Sequence, residues 1–253
     1  MTETSAGWEF KAYDAPFAGS WIIHQASAFL GVANVPTMSY WSVSDIFEEP
    51  GQQGPWTETY GIQTIYGVPK PAYRALEFLA ALPPTGLPCV AGGPALSKHR
   101  ARSGSAANAT ATAVTVDLIS ALDTSLETTQ VVHALLTNFN ANIVDQEDPT
   151  KGLPIEPMTV TLTLANFPPG AKVPPTATLK ILDSTQGWAK NVWVAAGKPA
   201  YPSRQEINDE LAASAPGVTQ LPVVSMGGEG VSITLPTLEP YAFAYVTLEF
   251  DLQ

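Results

Sequence analysis

The fold is decided by residues 39–49, which read Ser-Tyr-Trp-Ser-Val-Ser-Asp-Ile-Phe-Glu-Glu. The short apolar and aromatic run from Met38 to Val43 predicts a β-strand, and the carboxylates of Asp45, Glu48 and Glu49 follow it directly. In barrel enzymes, catalytic and substrate-binding residues lie at the C-terminal ends of the strands. The stretch therefore predicts a buried strand that delivers acidic side chains to a site.

Composition limits the partners that the chain can bind. Of its 253 residues, 45% are hydrophobic and 14% charged, and the net charge is −11. This composition can bury a core, and without a Lys/Arg cluster nucleic acid and anionic membranes are not expected as partners. A neutral ligand such as a sugar meets no electrostatic penalty. The single cysteine and the three scattered histidines show no ligand spacing, so no metal site is predicted.

No targeting signal is recognisable in the chain. The first four residues, Met-Thr-Glu-Thr, are polar and acidic, unlike a secretory signal peptide. No run is long and apolar enough to span a bilayer. Localisation stays open between cytoplasmic and secreted, because it depends on the true start of the protein.

The chain divides into parts with different periodicity. Residues 1–84 alternate helix and strand, with Asp14 as the expected cap of a helix that begins near Pro16. Residues 85–110 are rich in proline, glycine, serine and alanine and predict a linker. Residues 111–253 show a period of two between Pro/Gly-rich turns, which predicts an antiparallel β-sandwich. The predicted fold class is therefore an α/β part followed by an all-β domain.

Individual elements can be predicted within these parts. A second helix is expected over 72–82, where Pro71 and an apolar stripe precede the Pro83-Pro84 stop. One helix is expected inside the all-β part, over 203–213, where Ser203 and Glu206 form a capping box. The β-prone runs predict strands near residues 114–118, 131–137, 158–164, 176–182, 191–195, 231–235 and 241–250.

The α/β part is too small to be stable by itself. It contains one clear strand and two helices, whereas a parallel strand is normally covered on both faces and paired at its edges. Two explanations stay open. Either a second chain completes this part, or the N-terminal bulk of the domain is missing from the chain.

Two motifs in the first part support a family resemblance. Residues 39–49 closely resemble the last-strand motif of glycoside hydrolase family 39, the β-xylosidase family. Residues 60–75, Tyr-Gly-Ile-Gln-Thr-Ile-Tyr-Gly-Val-Pro-Lys-Pro-Ala-Tyr-Arg-Ala, look like the next segment of that family, which leads through Gly-x-Pro-Lys-Pro-Ala into the final barrel helix. The resemblance implies the C-terminal portion of a (β/α)₈ barrel, incomplete here, followed by an antiparallel β-sandwich, and it implies no cofactor.

The same resemblance suggests one catalytic residue and the lack of another. Family members are retaining glycosidases with two glutamates, an acid/base in an Asn-Glu-Pro context and a nucleophile near the end of the seventh strand. Counting back from the last-strand motif places the nucleophile at Glu3, although Thr4-Ser5 follows it where the family has Trp-Asn. No Asn-Glu-Pro occurs in the sequence, so the acid/base is not expected in this chain.

Five further residues are candidates for substrate binding. Trp41 could stack on the apolar face of a sugar or be a core aromatic. Asp45, Glu48 and Glu49 could accept hydrogen bonds from sugar hydroxyls or form a solvated acidic turn. Trp56 could line the rim of the pocket or pack within its loop.

Three functional hypotheses follow from the sequence. The first is a fragment of a retaining β-xylosidase-like glycoside hydrolase, with a xyloside or related glycan as ligand, inactive as it stands. The second is a non-catalytic carbohydrate-binding or structural β-sandwich protein. The third is one subunit of a split barrel, whose partner would be a second chain that completes the barrel.

Overall fold

A computed structural model describes residues 2–4, 12–30, 38–40, 42–45, 54–88, 115–126, 128–139, 156–166, 171–227 and 230–252, with the backbone alone for 2–4, 38 and 115. In chain order the elements are β1 Thr2–Thr4, α1 Pro16–Phe29, β2 Met38–Tyr40, α2 Pro71–Ala80, β3 Thr115–Asp123, β4 Thr129–Phe139, β5 Thr161–Ala165, β6 Thr176–Leu182, α3 Lys190–Ala195, α4 Arg204–Ala213, β7 Gly217–Pro222, β8 Val224–Ser225, β9 Gly230–Thr234 and β10 Phe243–Asp251. None of the helices in these ranges has the length and apolarity needed to cross a membrane.

The strands form three sheets. β1 and β2 form a two-stranded parallel ladder. The five-stranded sheet has the order β3-β4-β10-β6-β7, and the three-stranded sheet the order β5-β9-β8. Every pair in the two larger sheets is antiparallel, so the prediction of antiparallel sheets in the second part of the chain is confirmed.

The central strand of the five-stranded sheet, β10, is buried on both faces. Along β10, Ala244 and Val246 pack into a core shared with the three-stranded sheet. Phe243 and Tyr245 alternate with them and pack into a second core with residues of α1 and α2. This alternation follows from the period of two in a β-strand, and it joins the helices of the first part to the sheet of the second.

The N-terminal end of α1 differs from the prediction. Pro16 stands in the first turn as expected, but Ala15 is the capping residue and makes no side-chain cap. The prediction that Asp14 caps this helix is wrong, because its carboxylate accepts a hydrogen bond from the backbone N–H of Glu58 and pairs with Lys70. The capping box of Ser203 and Glu206 is confirmed at the start of α4.

The segment between β6 and β7 is more helical than the sequence indicated. The sequence predicts a strand over residues 191–195, but these residues belong to α3. The residue before this helix, Ala189, is fully buried against Trp56 and Val68, and these tertiary contacts outweigh the β-propensity of the Val-Trp-Val run. We refer to residues 189–215, which hold α3 and α4, as the α3–α4 insertion.

Candidate functional site

The β1–β2 ladder brings the Thr-Glu-Thr sequence of residues 2–4 next to the start of the motif at residues 39–49. In its register, Glu3 stands opposite Ser39 and Thr4 opposite Tyr40. Because the strands are parallel, their C-terminal ends lie side by side. Position 3 and the chain that follows β2 therefore meet at the same edge of the ladder.

Tyr40, the last residue of β2, faces the helices. Its ring packs against the core formed with α1 and α2. Burial raises the pKa of its hydroxyl above the ordinary range, and Tyr13, Asp45 and Asp14 raise it further. Tyr40 therefore remains neutral and serves packing.

The backbone after β2 is held by the segment that precedes α2. The N–H of Ile62 donates to the carbonyl of Ser42 at 3.0 Å, and the N–H of Asp45 donates to the carbonyl of Gln63 at 3.0 Å. Gly61 lies so close to this backbone that an added Cβ would overlap the backbone at Ser44 and Asp45. The two segments, 42–45 and 61–63, are thus in direct contact with no room for a side chain between them.

A buried lysine joins these segments to the start of α1. Lys70 Nζ lies 2.6 Å from Asp14 Oδ1 and 2.6 Å from Asp45 Oδ2, and all three side chains are 0% exposed. The same ammonium donates to Asp45 Oδ1 at 2.7 Å and to the carbonyl of Thr59 at 2.8 Å. The N–H of Gly61 also donates to Asp45 Oδ1, at 3.1 Å.

A second lysine extends this chain of charges into the α3–α4 insertion. Lys190 Nζ lies 3.3 Å from Asp14 Oδ2 and also forms an ion pair with Glu58. Asp14 and Glu58 exchange hydrogen bonds, each backbone N–H donating to the other carboxylate at 3.1 Å and 3.0 Å. Three carboxylates and two ammonium groups thus form one ion-pair cluster, composed of Asp14, Asp45, Glu58, Lys70 and Lys190.

Burial and neighbouring charges shift the pKa of three members of this cluster. Burial raises the pKa of Asp45 to about 6, although the charge and hydrogen bonds of Lys70 act in the opposite direction. Burial, followed by the charge of Asp14, also raises the pKa of Glu58. Burial lowers the pKa of Lys190, but the carboxylates of Asp14 and Glu58 together outweigh it, so that the net pKa of Lys190 is raised.

Trp56 makes a separate contact with the α3–α4 insertion. Its side chain is 5% exposed and packs with Val68 and Ala189. Its indole N–H donates to Glu210 Oε2 at 2.9 Å. Burial raises the pKa of Glu210, which the hydrogen bond from Trp56 opposes.

The six residues singled out from the sequence fall into three groups. Glu3 lies in β1, where the backbone alone is described, and Trp41, Glu48 and Glu49 lie outside the described residues. Asp45 and Trp56 are buried and hold contacts within the protein instead of facing an open pocket.

Sequence reasoning missed the residues that surround Asp45 and Trp56. No local sequence pattern indicates the buried contacts of Asp14, Glu58, Lys190 and Glu210, since their partners are distant in sequence. Lys70 had one signal, its place in the Gly-x-Pro-Lys-Pro-Ala motif between two prolines. Within the described part of the chain, no group of three or more His, Cys, Asp or Glu side chains could hold a metal ion.

Comparison with known proteins identifies the family. The profile of the glycosyl hydrolases family 39 matches residues 2–229. The chain therefore belongs to this family. Over 73 residues it is 36% identical to a β-xylosidase of Caldicellulosiruptor saccharolyticus, a match that covers 28% of this chain and 14% of that protein.

Solved structures of the same family resemble the fold. The GH39 enzyme from Xanthomonas axonopodis pv. citri superposes with a TM-score of 0.67 at 21% identity, covering 98% of this chain and 44% of that one. A GH39 β-xylosidase from Caulobacter crescentus gives a TM-score of 0.62 at 19% identity, covering 98% and 43%. The sheets and helices described above thus fit part of the family fold, and the chain spans less than half the length of these solved relatives.

Proposed function

We propose that this chain provides one side of the active site of a retaining glycoside hydrolase that acts on β-xylosides. In this proposal β1 and β2 are the last two strands of a (β/α)₈ barrel, α1 and α2 are its final helices, and the two antiparallel sheets form the following sandwich. The parts would be residues 1–84, 85–110 and 111–253. The observation that carries the proposal is the parallel β1–β2 ladder, which pairs Glu3 with Ser39, two residues before Trp41.

Within this site Glu3 is the nucleophile. Its carboxylate attacks the anomeric carbon, the bond to the glycosidic oxygen breaks, and that oxygen takes a proton from an acid residue. The same residue then deprotonates a water molecule, which displaces the sugar from Glu3. Trp41, Glu48 and Glu49 follow β2 and contact the sugar. The name of the β-xylosidase relative supports xylosides as the substrate class.

Asp45 and Trp56 have a supporting role in this proposal. The carboxylate of Asp45 is buried, pairs with Lys70 and accepts a hydrogen bond from the N–H of Gly61, so its contacts are made within the protein. The indole N–H of Trp56 is bound by Glu210. Both residues hold the backbone near the proposed site in place, and the carboxylates of Glu48 and Glu49 bind the hydroxyls of the sugar.

The acid/base must come from outside these 253 residues. The sequence contains no Asn-Glu-Pro, and retaining hydrolysis needs a second carboxyl about 5–5.5 Å from the nucleophile. General acid–base catalysis contributes about 10²–10⁴-fold, so we expect no steady turnover from this chain alone. The same absence favours, as a second candidate, a non-catalytic carbohydrate-binding protein.

A complementation experiment tests the role of Glu3 as nucleophile and the expected lack of turnover by the chain alone. The chain is co-expressed with the N-terminal part of a solved family relative, which carries the acid/base, and hydrolysis of an aryl β-xyloside is followed. We expect turnover from the complemented assembly, none from the chain alone, and loss of turnover in Glu3→Gln but not in Glu77→Gln, a half-exposed residue of α2.

Each contrary result has a distinct meaning. Turnover by the chain alone would show that it contains its own acid/base. Full activity of the Glu3→Gln assembly would remove Glu3 as nucleophile. Binding of xylosides by the chain, without hydrolysis in any assembly, would favour the carbohydrate-binding alternative.

A further inference from the structure

Residues 54–61 are held to the α3–α4 insertion at two separate points, through Glu58 and Trp56. Lys190, the first residue of α3, pairs with Glu58 and Asp14. On α4, Glu210 accepts the indole N–H of Trp56. The partners are 132 and 154 residues apart in sequence, so these contacts join distant parts of the chain.

We propose that Lys190 and Glu210 are positioning residues for the glycan site. They hold residues 54–61, and through Lys70 and Asp45 they also hold the segment 42–45 directly after β2. This inference rests on the proposed function, since it is that function which places the sugar beside the chain after β2.

The packing of the insertion supports this role. The small core beneath α3 and α4 contains Trp56 and Val68 from the first part of the chain, together with Ala189, Trp193, Ile207 and Ala213 from the insertion. None of these residues belongs to the large core between the two antiparallel sheets. The α3–α4 insertion is therefore packed against the loop, and its contribution to the core of the two sheets is small.

Lys190 is needed to balance the negative charges of the ion-pair cluster at Asp14 and Glu58. Lys70 is fully buried and already contacts both Asp14 and Asp45. Without Lys190, the carboxylates of Asp14 and Glu58 would face each other with Lys70 as the remaining cation of the cluster. Like charges at such short range repel strongly when they are partly shielded from water, so the loop would move away from Asp14.

The backbone of Glu58 shows that the loop is held in an unfavourable conformation. Its φ angle is 55°, a left-handed conformation that residues with a Cβ seldom adopt. Such a conformation persists only when surrounding contacts enforce it. At Glu58 these contacts are the N–H bond to Asp14 and the ion pair with Lys190.

Hydrogen exchange tests the inference on the full chain without any ligand. The amide N–H groups of Glu58 and Gly61, which donate to Asp14 and Asp45, report on the loop. In Lys190→Met we expect their exchange to accelerate about tenfold or more, since a hydrogen bond to a charged group is lost or weakened. Lys190→Arg should restore protection, and Lys198→Met, an exposed residue just after α3, should leave it unchanged.

Kinetics of the complemented assembly give the second readout. If Lys190 positions residues 54–61 and 42–45 for the glycan site, Lys190→Met should raise KM about tenfold. The change in kcat should be smaller, because the substitution weakens substrate binding more than it slows the chemical step. Glu210→Gln, which keeps the shape and an acceptor for Trp56, should change KM less than Glu210→Ala.

The outcomes separate the inference from the function on which it rests. Unchanged exchange at Glu58 and Gly61 in Lys190→Met would overturn the inference, and so would faster exchange with an unchanged KM. An assembly without any activity would contradict the proposed function, and the anchoring of the loop is then decided by the exchange rates alone.

Discussion

Lys70→Met should strongly destabilise the folded chain. The substitution keeps most of the side-chain volume but removes the ammonium group that Asp14 and Asp45 share. Both carboxylates are fully buried beside it. Asp14 would retain Lys190 at 3.3 Å, whereas Asp45 would retain two neutral donors, the N–H of Gly61 and the side chain of Thr59.

The magnitude follows from the burial of the pair. Removing one partner of a buried ion pair costs about 3–5 kcal/mol, because the other charge stays buried without compensation. A domain of this size typically has about 5–15 kcal/mol of stability in total. At about 2–4 °C per kcal/mol, the midpoint of thermal unfolding should fall by about 6–20 °C.

Urea and thermal unfolding, followed by circular dichroism, provide the assay. Lys180→Met, an exposed position on β6, is the matched control and should change stability by less than about 0.5 kcal/mol. The double variant Lys70→Met with Asp45→Asn removes the uncompensated charge and should recover part of the loss. It also keeps the experiment decisive if the single variant does not fold.

Two results would refute this reasoning. A loss of less than about 1 kcal/mol in Lys70→Met would place the pair in the range of a solvent-exposed salt bridge. A double variant as unstable as the single one would show that the buried charge of Asp45 is not the source of the loss.

Three further predictions follow from the same region. Burial raises the pKa of Asp45 to about 6, so the folded chain binds this proton more tightly than the unfolded chain. The contribution of Asp45 to the free energy of unfolding should therefore increase as the pH falls from 7 to 4. Urea unfolding at pH 7 and pH 5 measures the difference, and a pH dependence of the free energy that is unchanged in Asp45→Asn would contradict the prediction. Gly61→Ala should cost about 2 kcal/mol or more, since its Cβ would overlap the backbone at Asp45, whereas Gly86→Ala, whose Cβ meets open space, should be near neutral. Trp56→Phe leaves Glu210 buried without its donor and should cost about 1–3 kcal/mol in urea unfolding; unchanged stability would show that the bond is not needed.

Local patterns in the sequence predicted the elements whose signals are local. The capping box at Ser203 and the strand over 176–182 are found as expected, because propensity and tertiary structure agree there. The prediction failed at α3, where the buried contact of Ala189 with Trp56 decides the conformation. A residue pattern cannot show a contact between positions so far apart in sequence.

The candidate site was predictable to a similar extent. Residues 39–49 and 60–75 indicated the family, and the match over residues 2–229 confirms it. The register that sets Glu3 opposite Ser39 depends on the pairing of two short strands, and the sequence indicated this pairing only through the family resemblance. Asp14 shows the limit, since its spacing to Pro16 suggested a helix cap while the structure uses its carboxylate in the ion-pair cluster.

The contacts between the helices and the five-stranded sheet change how the two parts of the chain should be understood. The sequence predicted a linker over residues 85–110 between the helices and the sheets. In the structure, Ser20 of α1 contacts Thr137 of β4, and Phe78 of α2 stacks on Tyr245 of β10. Phe243 and Tyr245 of β10 therefore pack against the helices, while Ala244 and Val246 pack toward the other sheet. Since the α3–α4 insertion also contacts Glu58 and Trp56, the second part of the chain contacts both the helices and residues 54–61 of the first. We expect these contacts, made by the five-stranded sheet and by the insertion, to help fix the geometry of the proposed site.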